Sequence, residues 1–209
     1  MLRYAIGVLL LMFNSTKSIG QEIDCQLRAS LSDHTIDTIY GNPYGESIVF
    51  VKKLKFYIHT AHNGQTSPER ALLLSLKNPR QTISIDGPFQ VYLGVDSTLN
   101  YDGIHEGALD PINNMYWTWQ TGYIHCKLEG YILNQSAKRS FEFHIGGYST
   151  KDSGPFWIGQ NSDGKSLEVQ FDLYPAIEWA LKNEVFRITS PGKISDEMAQ
   201  FFRKGITVL

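Results

Sequence analysis

The side chains best suited to chemistry gather in the middle of the chain. His105, Glu106, Asp110, Trp117, Trp119 and His125 all fall within Gly94–Gly130, and His144 follows on a later strand-like run. Imidazoles suit copper, zinc, iron or nickel, whereas carboxylate-rich sites suit calcium or magnesium. His105, His125 and His144 are therefore candidate ligands for a transition metal. Asp96, Asn100 and Asp102 are hard-cation donors, but their spacing misses the EF-hand pattern. Glu106 and Asp110 could act as paired carboxylates in hydrolysis, although such pairs arise by chance in polar loops. Trp117 and Trp119 could stack on sugar rings, or simply pack within a strand. His34, His59 and His62 read as surface residues. The chain has no nucleophile elbow, phosphate-binding glycine loop, HExxH or CxxC.

Strands must position these groups. Ile23, Cys25 and Leu27 alternate with polar residues, as do Phe141, Phe143 and Ile145, and Leu167, Val169, Phe171 and Leu173. Leu54, Phe56 and Ile58 oppose Lys53, Lys55, Tyr57 and His59. Such period-two runs, each with one apolar face, recur at short spacing. Asn63-Gly64, Asn78-Pro79, Asp86-Gly87-Pro88, Gly146-Gly147 and Asp163-Gly164 supply turns between them. The pattern predicts a mostly β, antiparallel β-sandwich. Parity puts Ile124, Cys126 and Leu128 on the core side of their strand. Trp117, Trp119, His125 and Lys127 take the other side, with His144 beside them if the strands at 122–130 and 141–145 pair.

The C-terminal part changes period. Pro175 opens one short helix. Ser195 is a plausible N-cap for a second, with Ile194, Met198, Phe201 and Phe202 as its apolar stripe and Gly205 just past its end. One or two short C-terminal helices thus pack on a single domain spanning 21–209.

Residues 1–20 stand apart. Arg3, the apolar run Ala5–Phe13 and Ser18-Ile19-Gly20 read as a secretory signal peptide, too short to span a bilayer. Removing Arg3 and Lys17 with this segment takes the formal charge from −2 to −4, which argues against nucleic acid or anionic membranes as partners. Export favours oxidising conditions, so Cys25 and Cys126 are a candidate disulfide; the alternative is two buried thiols.

LGVDS (93–97), GALDP (107–111), MYWTWQTGYI (115–124), KLEG (127–130) and FEFHIGG (141–147) occur in this order and spacing. Together they resemble the copper-binding MbnP-like family, exported proteins first linked to methanobactin operons. LKFYI (54–58) and the SPG-then-helix end at 190–202 extend the resemblance over nearly all of residues 21–209. It implies a periplasmic, cell-surface or secreted protein of mostly β structure that binds copper. It also implies a di-haem peroxidase-like partner that oxidises a tryptophan of the WxW motif to kynurenine, creating an aryl amine and a ketone beside the metal. Carried over, the WxW tryptophans are Trp117 and Trp119 and the FxFH histidine is His144. His125 and His105 enter from parity and loop position alone.

The expectation is a non-enzymatic copper-binding protein acting in capture or storage. The rival is a carbohydrate- or protein-binding module that uses Trp117 and Trp119 as an exposed platform. Which tryptophan reacts and the oligomeric state stay open at this level.

Overall fold

The computed structural model describes residues 21–37, 39, 41–61, 65–85, 88–135, 137–147, 156–161 and 166–209. Residues 1–20, expected to be a signal peptide, His62 and the turns expected at Asn63-Gly64, Asp86-Gly87 and Asp163-Gly164 lie outside these residues. Strands β1 (Gln21–Leu31), β2 (His34–Thr35), β3 (Asn42–Tyr44), β4 (Ser47–Ala61), β5 (Ala71–Ser75), β6 (Arg80–Ile85) and β7 (Phe89–Leu93) precede helix α1 (Ser97–Asp102). Strands β8 (Tyr116–Thr118), β9 (Gly122–Leu133), β10 (Lys138–Gly146), β11 (Phe156–Asn161) and β12 (Ser166–Asp172) follow. Helix α2 (Tyr174–Asn183), β13 (Arg187–Ile188), helix α3 (Lys193–Gly205) and β14 (Ile206–Val208) complete the chain.

Two sheets form from these strands. One runs β14-β12-β1-β2, with β6 also on β1; the other runs β11-β7-β4-β9-β10-β13, with β3 and β5 on β4 and β8 on β9. The expected sandwich is present, with mixed rather than purely antiparallel sheets. β1 pairs with β12 in parallel, as β10 does with β13. A parallel neighbour needs a long crossover, and β1 and β12 sit near opposite ends of the chain.

The period-two pattern explains the core. Ile23, Cys25 and Leu27 from one sheet meet Val49, Leu54, Phe56, Leu128 and Phe143 from the other in a single buried cluster. Phe56 meets Phe171 edge-on across the sheets, at 5.6 Å between ring centroids. Phe171 in turn meets Phe202 of α3 at 5.6 Å, so the terminal helices seal the cluster. Cys25 and Cys126 both face this core as parity predicts, but no disulfide joins them. They stand on different sheets, and each behaves as a small apolar group. Burial pushes the Cys25 thiol up to about 12, and Cys126 is also raised.

The C-terminal helices differ in detail from the sequence expectation. The N-cap of α3 is Gly192, and Ser195 is buried one turn in. Met198 and Phe202 are buried, whereas Ile194 is exposed. Gly205 is the last helical residue rather than a left-handed cap. Its requirement is close approach: a Cβ there would lie 2.0 Å from the Asp172 carbonyl oxygen.

Gly130 in KLEG faces the same constraint. A Cβ would lie 2.0 Å from the Phe50 carbonyl oxygen and 2.7 Å from the Phe141 ring. Gly130 sits opposite Val51, at the bulge where the β4–β9 register shifts, and the backbones must separate to admit a methyl group. Gly130→Ala is expected to lower stability by about 2 kcal/mol, read from the urea unfolding midpoint. A midpoint equal to that of the parent would contradict this reading of KLEG.

Candidate functional site

The second sheet has a second face, and the site lies on it. Register places Lys55 of β4, Lys127 of β9 and His144 of β10 in one cross-strand row, and Lys53, Glu129 and Glu142 in the next. The two ammonium groups repel each other, and each of the three side chains needs an acceptor. Each finds one. Lys55 Nζ donates to the Asn113 carbonyl at 3.0 Å and Lys127 Nζ to the Asn114 carbonyl at 2.5 Å. His144 Nε2–H donates to Glu129 Oε1 at 2.9 Å, while Glu129 Oε2 accepts from Lys53 Nζ at 2.7 Å.

Two of these acceptors belong to the excursion between β7 and β9, which folds back over the sheet. Asp96 caps α1 by accepting from the Thr98 amide at 2.8 Å, so the Asp/Asn loop considered for calcium is a capped helix. GALDP makes two short 3-10 turns, Gly107–Leu109 and Pro111–Asn113. Gly107 has φ +68°, a left-handed conformation that favours glycine. Asp110 accepts from the Ile112 amide at 2.8 Å, and that carboxylate therefore holds the turn rather than standing free beside Glu106. These turns aim carbonyls at the sheet. Tyr57 Oη donates to Ala108 O and Tyr123 Oη to Leu109 O, both at 2.9 Å. Beneath them Tyr57, Val95, Leu99, Leu109, Met115, Tyr123 and Ile124 form a second buried cluster.

This cover changes what parity implied. His125 is on the outer face as expected, yet it is only 2 % exposed, enclosed near Asn100, whose Nδ2 lies 3.5 Å from His125 Nε2. His59, expected at the surface, is also 2 % exposed. Its Nδ1 is 3.0 Å from the Gly94 carbonyl and its ring stacks on Tyr92. His105 is half-buried; its Nε2 is 2.8 Å from the Leu99 carbonyl, and its amide donates to Tyr123 Oη. His105 and His125 thus both lean on α1, whereas His144 is held by Glu129. Among the described residues, no group of three or more His, Cys, Asp or Glu side chains is placed to hold a metal ion. The three candidate ligands are not gathered in one site.

Trp117 and Trp119 also part company. Trp117 is half-buried against the second cluster, and Trp119 is 77 % exposed. The difference is local. β8 ends at Thr118, and a turn closed by the Thr121 amide donating to the Thr118 carbonyl carries Trp119 outward. A flat two-ring platform is therefore not presented.

Glu129 and Lys53 were not singled out in the sequence. Parity alone could have found Glu129, since it lies two residues beyond Lys127 on the His144 face. Burial pushes its carboxyl up, but hydrogen bonds from Lys53 and His144 outweigh this and leave it below the usual value. Burial lowers His144 despite the opposing hydrogen bond to Glu129, and lowers His59 as well. Both imidazoles are neutral near pH 7, the form that can coordinate metal. With Nε2 protonated toward Glu129, His144 keeps its lone pair on Nδ1. A carboxylate that fixes a ring this way is a common support for metal-binding histidine.

The lowered values make a prediction. As pH falls below the ordinary imidazole value of 6.5, the unfolded chain takes up protons that native His59 and His144 resist. Stability is lost on that descent. Glu129 acts in the same direction at lower pH, its contribution disappearing as pH falls from 4.5 through its lowered folded value. The urea midpoint should drop between about pH 7 and about pH 5. His59→Asn, whose amide can reach the Gly94 carbonyl, should flatten part of the slope. A flat parent profile would show that these histidines titrate as in the unfolded chain.

The family model for MbnP matches residues 11–204. No curated protein sequence matches the chain. Among solved structures, MbnP from Methylosinus trichosporium is similar, with 15% identity over 76% of this chain and 78% of that one, and a TM-score of 0.47. With the family model spanning all but the two ends, the chain belongs to the MbnP family.

Proposed function

We propose that this chain is an exported, non-catalytic copper-binding protein whose site is completed by oxidation of a tryptophan. Family membership supports the copper assignment. The observation that carries the site assignment is the His144–Glu129 hydrogen bond, which gives one neutral, oriented imidazole on the covered face. His125 and His105 are held elsewhere along α1, so the unmodified side chains fall short of a preassembled set. Copper bound by the chain would be held by His144 together with donors that the folded chain does not yet possess.

Indole itself is a poor donor, because its nitrogen lone pair belongs to the π system and its N–H only donates. Oxidation changes that. Two oxygen atoms inserted across the indole C2–C3 bond, from two hydrogen peroxide molecules that leave as water, give N-formylkynurenine. Hydrolysis then releases formate and leaves an aryl amine and a ketone. The reaction needs a haem-type oxidising partner, for which a di-haem peroxidase-like enzyme is the proposed candidate. Trp119 is the tryptophan that such a partner reaches without disturbing the second cluster, as 77 % of its surface is exposed.

No helix among the described residues is long and apolar enough to cross a membrane. The proposed setting is the periplasm, the cell surface or the medium, and the proposed role is copper capture or storage.

His144→Ala should weaken copper binding by at least about tenfold and leave the unfolding midpoint near that of the parent. Glu129→Gln should weaken it by about tenfold through loss of ring orientation. Copper affinity unchanged in His144→Ala would remove His144 from the site.

A further inference from the structure

Beside this site, and sharing Lys53, Lys55 and Asn113 with it, a groove of about 490 Å³ lies between β4, β5 and the GALDP turn. Among the described residues, four lysines line it, Lys52, Lys53, Lys55 and Lys77, and no acidic residue does. Leu73, Leu76 and Ala108 supply an apolar floor, and Asn78, Gln81 and Asn113 supply amides.

The lysines converge for a structural reason. Lys53 and Lys55 stand two residues apart on β4, on the side of the sheet facing the excursion, and Lys77 comes up from the turn after β5. Lys55 is lowered first by burial and then by its neighbours Lys53 and Lys77, an independent sign that the cations are close enough to repel. Lys53 is matched by Glu129, and Lys55 directs one N–H to the Asn113 carbonyl. An ammonium has three donors, so Lys55 retains others for a ligand, and Lys77 is exposed at the rim.

We propose that this groove binds a small amphiphilic organic anion, with its carboxylate or sulfonate at Lys55 and Lys77 and its apolar body against Leu73 and Leu76. The volume falls in the range of small-molecule sites, about 300–1,000 Å³. Unmatched positive charge selects an anion, and the leucines favour a ligand with a hydrocarbon or aryl body over inorganic phosphate. The inference is independent of the copper reading.

Decanoate titrated calorimetrically into the full-length protein at low salt tests it, with decanol and inorganic phosphate as controls. Saturable one-site decanoate binding is expected, with decanol and phosphate each at least about tenfold weaker. Lys77→Glu, at an exposed turn where folding is insensitive to charge, should weaken decanoate by at least about tenfold. Lys55→Met should also weaken it, and Lys77→Glu decides the matter if Lys55→Met unfolds. Absence of saturable binding, equal binding of decanol, or an unchanged Kd in Lys77→Glu would overturn the assignment.

Discussion

Four side chains on one sheet face hold the excursion in place. Lys55, Tyr57, Tyr123 and Lys127 donate to the carbonyls of Asn113, Ala108, Leu109 and Asn114. Irregular backbone laid over an apolar surface must satisfy its polar groups, and here the sheet satisfies them. Each pairing also removes a cost on the sheet's side, since a buried ammonium or phenol needs an acceptor. Apolar packing of Leu109 and Met115 against Tyr57 and Tyr123 closes the same contact. Without these bonds the outer face would be an ordinary solvated sheet, and His59 and His125 would be ordinary surface histidines.

That constraint sets how much the sequence revealed. Alternation was sufficient for the sandwich, because Cys25, Cys126, Leu128 and Phe143 sit where their parity puts them. It also placed His125, His144 and Lys127 on the outer face correctly. It could not show that the outer face is covered, because parity distinguishes one side of a sheet from the other and not wet from dry. Hence His59 was misassigned to the surface. Trp117 and Trp119 share parity, but the strand ends between them, so an argument extended past Thr118 fails. The parallel β1–β12 pair is a long-range choice that local alternation does not encode. Gly205 looked like a helix cap, whereas its actual constraint comes from Asp172 across the fold.

One residue type thus occupies several environments on the same face. His125 and His105 lean on α1, His59 stacks on Tyr92 near Gly94, and His144 is oriented by a carboxylate that also binds Lys53. His144 combines partial access with a neutral ring whose tautomer is fixed by a carboxylate. Glu129 joins these features, since its two oxygens tie the FEFHIGG histidine to the LKFYI strand. GALDP and KLEG serve mainly in construction: one turns carbonyls toward the sheet, and the other lets β4 and β9 approach at Gly130. These segments therefore build a covered face that holds His144 against Glu129 and leaves Trp119 exposed.

The central claim is that the folded chain is an incomplete copper site until a tryptophan is oxidised. Producing the full chain with and without a di-haem peroxidase-like partner, then measuring peptide masses and bound copper on the same samples, tests it most directly. The account predicts a kynurenine-bearing Trp119 peptide, with one carbon lost and one oxygen gained, and stoichiometric copper only in the co-produced protein. Equal and tight copper binding by the unmodified protein would contradict it.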